Sequence, residues 1–338
     1  MRKLASIQRI KALEMIPDAE AIEKATVLGW QLVVKKGEFK VGDLCVYCEI
    51  DSLFPNKPEF EFLKPRGMRI RTIRLRGQIS QGICFPLSVL SGDFEIEENK
   101  DCTEILEITK YEPPIPACLN GKVKSAFPSF IPKTDETRVQ VLQELLDTCN
   151  GELCFVTEKL DGSSVTYFIK DGEFGVCSRN LELLEDENNS LWKVAHTLNI
   201  ETKLKSLNGN YALQGELIGE GIQSNKYMLK GQTAYFFNLF NIDEYRYESN
   251  EMLETILKKL ELNSVPILSK DYLLTNNIET LVEQSKIKSA LNKDIWAEGI
   301  IIRPIETDKY KMVSNNLLNS GRISFKVINP EFLLKFSE

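Results

Sequence analysis

Histidine is nearly absent from this sequence, with His196 the only one in 338 residues. A Ser-His-Asp or Cys-His hydrolase and a histidine-rich zinc centre are therefore poor readings. Eight cysteines do not make up the deficit. Cys45 and Cys48 form a C-x-x-C, but residues three apart on a strand point to opposite faces, and no second pair follows at zinc-ribbon spacing. Most cysteines lie in apolar runs such as LCVYCEI and GICFP, so they read as reduced, buried small hydrophobes. Any catalytic metal would need oxygen ligands, which favours Mg²⁺ or Mn²⁺. No apolar run is long enough to span a bilayer, and the opening MRKLASIQRIK has no signal-peptide core. The expectation is a cytoplasmic protein, or a nuclear one in a eukaryote. Internal repeats, low-complexity segments, heptads and exposed apolar helix faces are missing as well, and a monomer is expected.

An excess of positive charge is also lacking. The net charge is −7, which excludes a protein coated in basic surface. Locally the balance reverses: KPRGMRIRTIRLR, from Lys64 to Arg76, holds six basic residues and no acid. On a strand, Arg69 and Arg71 would share one face, as would Arg74 and Arg76. Backbone phosphates of RNA are the natural partner of such a row; the competing reading is a charged edge strand that blocks aggregation.

A chain of this length suggests two domains. Up to about Ile105 the pattern is one of short strands rich in Val, Ile and Leu, as in AIEKATVLGWQLVVKKG, DLCVYCEI, RIRTIRLRG and GICFPLSVL. Some five strands in a hundred residues fit a small closed barrel, and the OB-fold is the commonest such barrel that binds nucleic acid. Residues 1–105 are assigned to it. TKYEPPIPACLNGK then reads as a stiff linker over 106–120. From 121 to 338 helical spacing in TRVQVLQELLDTC and SNEMLETILKKLEL mixes with strands in FVTEKLDG, YALQGELIG, YFFNLFNI and EGIIIRP, an α+β pattern.

The apolar run Cys154–Val156 ends at Lys159, followed by Leu160, Asp161 and Gly162. Alone, K-x-D-G is an ordinary edge-of-sheet turn. A nucleophilic lysine would need desolvation or cationic neighbours to shed its proton, together with cations for phosphates and acids for a metal. Candidates follow in order. Arg179, in SRN, could clamp a phosphate. Glu216 stands between two glycines in QGELIG, Phe237 could stack on a base, Glu298 precedes an apolar strand, and Lys326 lies inside ISFKVIN. Each also has a bland reading: a surface hairpin, a solvated acid, a core aromatic.

KLDG, SRN, GE, an aromatic strand, EGIIIR and SFK, in this order, resemble the motifs of the covalent nucleotidyltransferase superfamily of polynucleotide ligases and mRNA-capping guanylyltransferases. The chain is most similar to the RNA ligase 2 branch, and within it to the Naegleria-type RNA ligases, which carry an OB domain ahead of the ligase domain. The resemblance extends through GEFKVGDLCVYCEID, RLRGQISQG and IPKTDETRVQ. It implies an N-terminal OB-fold β-barrel and an antiparallel-sheet nucleotidyltransferase domain of the ATP-grasp-like DNA/RNA ligase kind.

The resemblance further implies an ATP-dependent RNA ligase joining 3′-OH and 5′-phosphate RNA ends through lysyl-AMP and AppRNA. Lys159 would be the nucleophile. Glu158, Asp161, Gly162, Arg179, Glu216, Phe237, Glu298, Lys326, Arg138 and Arg322 would complete the ATP/AMP site. Asp161, Glu216 and Glu298 would hold Mg²⁺ or Mn²⁺ through water, Phe237 would stack on adenine, and Arg138 would meet the departing pyrophosphate. There are departures from the pattern. The second lysine of motif five is Ile328 here, leaving Arg322 or Lys335 as substitutes, and Asn238 replaces an aspartate. The sequence ends twelve residues after Lys326, so a C-terminal OB domain like that of DNA ligases and capping enzymes is not expected. An RNA-binding OB protein with an inactive transferase domain, a DNA ligase and a guanylyltransferase are the alternatives.

Overall fold

The computed structural model describes residues 3–90, 92, 94–112, 114–305 and 322–336. The chain divides into two compact units. One comprises the chain up to Pro113, Val139–Gln143 and the segment from Pro330; the other comprises Pro114–Arg138 and Glu144–Asn329.

In the first unit a long strand, Ala5–Met15, pairs along its first half with Leu44–Cys48 and along its second half with Ile22–Val27. A register shift between Ile10 and Ala12 separates the halves, and such a bulge bends the strand and raises its twist. Trp30–Lys35 and Ile83–Phe85 extend the antiparallel sheet to five strands. The sheet curls into a half-barrel whose edges approach each other: Gln81 N–H donates to Gln31 C=O at 2.9 Å, and Val33 N–H donates to Ser80 Oγ at 3.0 Å. Trp30, Ile7, Ile10, Val46 and Tyr47 fill its core.

The sequence reading missed Ala5–Met15, and it drew RIRTIRLRG as one strand where only Ile73–Leu75 is extended in a ladder. The stretch 106–120, read as linker, is divided between the units. Leu106 and Ile108 are buried in the first core, and Leu119 in the second.

The second unit is built on two sheets. The larger runs Val123–Ala126, Leu181–Leu183, Glu173–Cys177, Ser163–Lys170, Tyr211–Gly219, Gln232–Asn241 and Arg246–Tyr247, all antiparallel. The smaller runs Thr137–Arg138, Phe325–Ile328, Gly299–Pro304, Leu153–Lys159 and Ile267–Leu273; only its first pair is parallel. Helix Asn250–Lys259 starts where expected, with the Ser249 hydroxyl accepting from Met252 N–H at 3.1 Å. TRVQVLQELLDTC is α-helical only from Gln143 to Thr148, after a single 3-10 turn at Val139–Val141, because Thr137–Arg138 is taken up as a strand beside Phe325–Lys326. Among the described residues no helix is long and apolar enough to cross a membrane.

Candidate active site

Lys159 ends its strand where the chain leaves one sheet for the other. Leu160, Asp161 and Gly162 make that crossing, and Ser163 opens the next strand. Gly162 is required by space: a Cβ there would stand 2.3 Å from the Leu217 carbonyl oxygen and 2.9 Å from Cγ of Glu216. This close approach lets Gly162 N–H donate to Glu216 Oε1 at 3.1 Å. Across the second sheet Lys159 faces Gly299, so Glu298 lies beside it, and Lys159 Nζ donates to Glu298 Oε2 at 2.5 Å. Two strands and one turn thus gather Asp161, Glu216 and Glu298 around one lysine.

Asp161 is held at two points by neighbours that the sequence reading did not single out. Its N–H donates to the Tyr227 hydroxyl at 2.7 Å, and its Oδ2 accepts from Lys226 Nζ at 2.6 Å. Lys226 and Tyr227 sit on a loop in which Gln223, Ser224, Asn225 and Met228 all have positive φ. Non-glycine residues persist in that region only where their surroundings hold them there.

The electrostatics follow from burial and crowding. Burial, reinforced by Glu298, raises Asp161 to about 6, against the opposing pull of Lys226. Burial raises Glu216 to about 8, with Lys159 opposing and Glu298 and Asp161 adding to the rise. For Lys159 burial favours the neutral amine, but Glu298, Glu216 and Asp161 outweigh it and raise the lysine above its usual value. The cluster is short of positive charge, and its lysine is held protonated. Among the described residues no three such side chains are placed to ligate one ion directly. The hard oxygen donors fit a divalent cation bound through its water shell.

Cross-strand partners share a face. Lys159 stands opposite Gly299, while Ile301 stands opposite Thr157 on one side and Lys326 on the other; Lys326 in turn faces Arg138. Lys159, Lys326 and Arg138 therefore line one face of the smaller sheet. Ile328 shares it, opposite Gly299 and buried. Glu158 projects from the opposite face. It is buried and accepts from Ala290 N–H at 2.8 Å, and burial raises its carboxyl. Phe237 packs against the cluster of Leu160, Ile218, Tyr227 and Val265. Arg179 is exposed on a turn and pairs with Asp135 at 2.5 Å. Arg322 lies 3.8 Å over the Tyr247 ring and donates to Asn238 Oδ1. Lys335 is on the helix Pro330–Phe336, which belongs to the first unit.

In that first unit the four candidate RNA arginines separate, because they do not lie on one strand. Arg69 is a correction: it is buried, pairs with Asp51 at 2.9 Å and stacks 3.6 Å over the Tyr111 ring. Arg71 is half-buried in irregular chain. Arg74, in the strand Ile73–Leu75, and Arg76, in its turn, are exposed, and Arg74 reaches Glu331 at 2.6 Å. Arg303 and Glu136, a buried arginine and its acid, also went unassigned. An arginine inside the otherwise apolar EGIIIRP was the available signal, since a buried guanidinium must be partnered.

A curled barrel-like unit joined to a two-sheet unit with a lysine among carboxylates at the sheet crossing is the architecture of a polynucleotide ligase. Comparison with known proteins narrows the class. A profile described as an OB-fold domain matches residues 4–87, and one described as RNA ligase matches residues 152–328. Solved structures of Naegleria gruberi RNA ligase superpose along the chain. A lysine-to-alanine variant with ATP and Mn is 39% identical with a TM-score of 0.88, covering 98% of each chain. The enzyme with PPi gives 39% and 0.89, covering 100% of this chain and 99% of that one. A glutamate-to-alanine variant with ATP and Mn gives 39% and 0.90, covering 100% of both. No curated protein matches. The chain belongs to the RNA ligase family.

Proposed function

We propose that the protein joins RNA 3′-OH and 5′-phosphate ends in an ATP-dependent reaction, with Lys159 as the nucleophile. The observation that carries this reading is the Lys159–Glu298 contact of 2.5 Å at the sheet crossing, with Asp161 and Glu216 beside it. In the first step Nζ of Lys159 attacks the α-phosphorus of ATP. Lys159 gives up one proton to solvent to become the neutral amine and a second as the P–N bond forms; the bond to the β-phosphate oxygen breaks, and pyrophosphate leaves with that electron pair. Held by Asp161, Glu216 and Glu298 through water, a divalent cation, Mg²⁺ or Mn²⁺, would offset the α-phosphate charge and favour the neutral amine.

The chain's own residues position the rest. Phe237 stacks on adenine, Lys326 meets the α-phosphate, Arg138 meets the pyrophosphate, and Arg179 meets a phosphate of the nucleotide or the RNA 5′ end. Glu158 buttresses the strand that carries Lys159. Arg322 acts through Asn238, the neighbour of Phe237. AMP then passes to the RNA 5′-phosphate, breaking the P–N bond and giving AppRNA. Attack by the 3′-OH closes the phosphodiester and releases AMP. Arg74 and Arg76 contact RNA phosphates. Positioning and charge neutralisation supply most of the catalysis. A monomer acting in the cytoplasm or nucleus is the form proposed.

The test is a joining assay with 5′-phosphorylated RNA and DNA strands, supplied with ATP or GTP and with Mg²⁺ or Mn²⁺. RNA joining with ATP, lost in Lys159→Ala, supports the reading. Joining of DNA alone, or with GTP alone, contradicts it.

A further inference from the structure

Phe237 sits at an irregularity in its strand. Gln214 faces Asn238 and the next residue, Gly215, faces Phe236, so Phe237 has no ladder partner. The extra residue of a bulge leaves the ladder, and the bulge re-aims a side chain. Its carbonyl must then find another donor. Phe236 is satisfied by the segment alongside, donating to Asn263 C=O at 2.8 Å and accepting from Val265 N–H at 3.0 Å. The Phe237 carbonyl accepts from Arg303 Nη1 at 3.0 Å. Arg303 belongs to the smaller sheet and Phe237 to the larger, so this bond ties the sheets together at the bulge.

Arg303 is itself fixed. It is 4% exposed; its Nε donates to Ser324 Oγ at 3.0 Å, and its Nη2 lies 3.6 Å from Glu136, which accepts from the Ser324 hydroxyl at 2.6 Å. Burial and the nearby Arg322 pull it down to about 9, with Glu136 and Tyr247 opposing, so it remains cationic at neutral pH. A charge-assisted bond holds the bulge carbonyl more firmly than a neutral one. The next residue is held from the side: Asn238 Nδ2 donates to Gln214 Oε1 at 2.9 Å while its Oδ1 accepts from Arg322. Phe237 borders a small cavity shared with Thr157, Val265 and Arg303, and Thr157 shares a face with Lys159.

We propose that Arg303 is a positioning residue: through the carbonyl of Phe237 it fixes the ring that stacks on the nucleotide base, and so supports nucleotide affinity without touching the nucleotide. The proposal rests on the reading of Phe237 as the stacking platform. Two full-length single variants, Phe237→Ala and Arg303→Met, their double, and Arg303→Lys separate the two claims. Each is titrated with α,β-methylene-ATP, which cannot transfer its adenylyl group, and with tripolyphosphate, which has no base.

Losing an aligned stack weakens analogue binding on the order of tenfold in either single variant. Tripolyphosphate binding stays within about twofold, the double variant is no weaker than Phe237→Ala, and Arg303→Lys recovers part of the loss. Multiplying losses in the double variant, or equal losses for both ligands in Arg303→Met, overturn the proposal. So does Arg303→Met binding normally beside a weakened Phe237→Ala. Normal binding by Phe237→Ala overturns the stacking reading, and the proposal with it.

Discussion

Glu216 is proposed to serve catalysis, and for that reason it should cost the protein stability in the absence of nucleotide and metal. Burial lifts its carboxyl from 4.5 to about 8. Between those values the folded protein holds a proton that the unfolded chain has released, so stability falls as pH rises through this window and is level above it. At 1.36 kcal/mol per pH unit, the gap sets a ceiling of about 5 kcal/mol. Glu216 is only half-buried, and solvent screening reduces this; about 2 kcal/mol is the expected figure at pH 8.5. Gln keeps an acceptor for Gly162 N–H and carries no charge. Glu216→Gln should therefore match the wild type near pH 4 and melt about 4–8 °C higher at pH 8.5, while losing adenylylation. Thermal unfolding of both proteins at a series of pH values, without nucleotide or divalent metal, is the assay. A difference that does not grow with pH, or a variant less stable at pH 8.5, refutes the reasoning.

Other outcomes follow from the same geometry. Gly162→Ala places a methyl 2.3 Å from the Leu217 carbonyl, so the turn carrying Asp161 must shift; a loss of about 2 kcal/mol or more in urea unfolding is expected, with adenylylation falling at least tenfold. Ile328→Lys puts an ammonium at a site only 4% exposed, and should lower the melting temperature of the nucleotide-free protein by several degrees, with partial recovery on ATP binding. Changing Arg74 and Arg76 to Gln should leave adenylylation unaltered, and should flatten the salt dependence of RNA binding by about 0.7 in log–log slope per lost phosphate contact.

The lysine site was legible in the sequence because its parts lie at strand ends with short, ordered motifs. Lys159, Asp161, Glu216 and Glu298 converge as the motif order implied. Other features depend on partners distant in sequence, which local patterns do not encode. Arg69 looked like one of an exposed row until Asp51 and Tyr111 took it up. Lys226 and Tyr227 come from a polar loop with no periodic signal, yet they hold both ends of Asp161. Val139, Leu142, Leu145 and Leu146 have helical spacing, but the start of that segment pairs with Phe325–Lys326 instead. The strand Ala5–Met15 was hidden because it changes partners midway, which replaces a clean alternation with two half-patterns.

The central claim is that Lys159 carries the adenylyl group. The most direct measurement is the intact mass of the full-length protein after incubation with ATP and Mg²⁺ or Mn²⁺, followed by peptide mapping of the adduct, beside Lys159→Ala. One added AMP on the peptide containing Lys159, absent from the variant, is the predicted result. An adduct that persists in Lys159→Ala, or none with either metal from folded protein free of prior adenylylation, would contradict it.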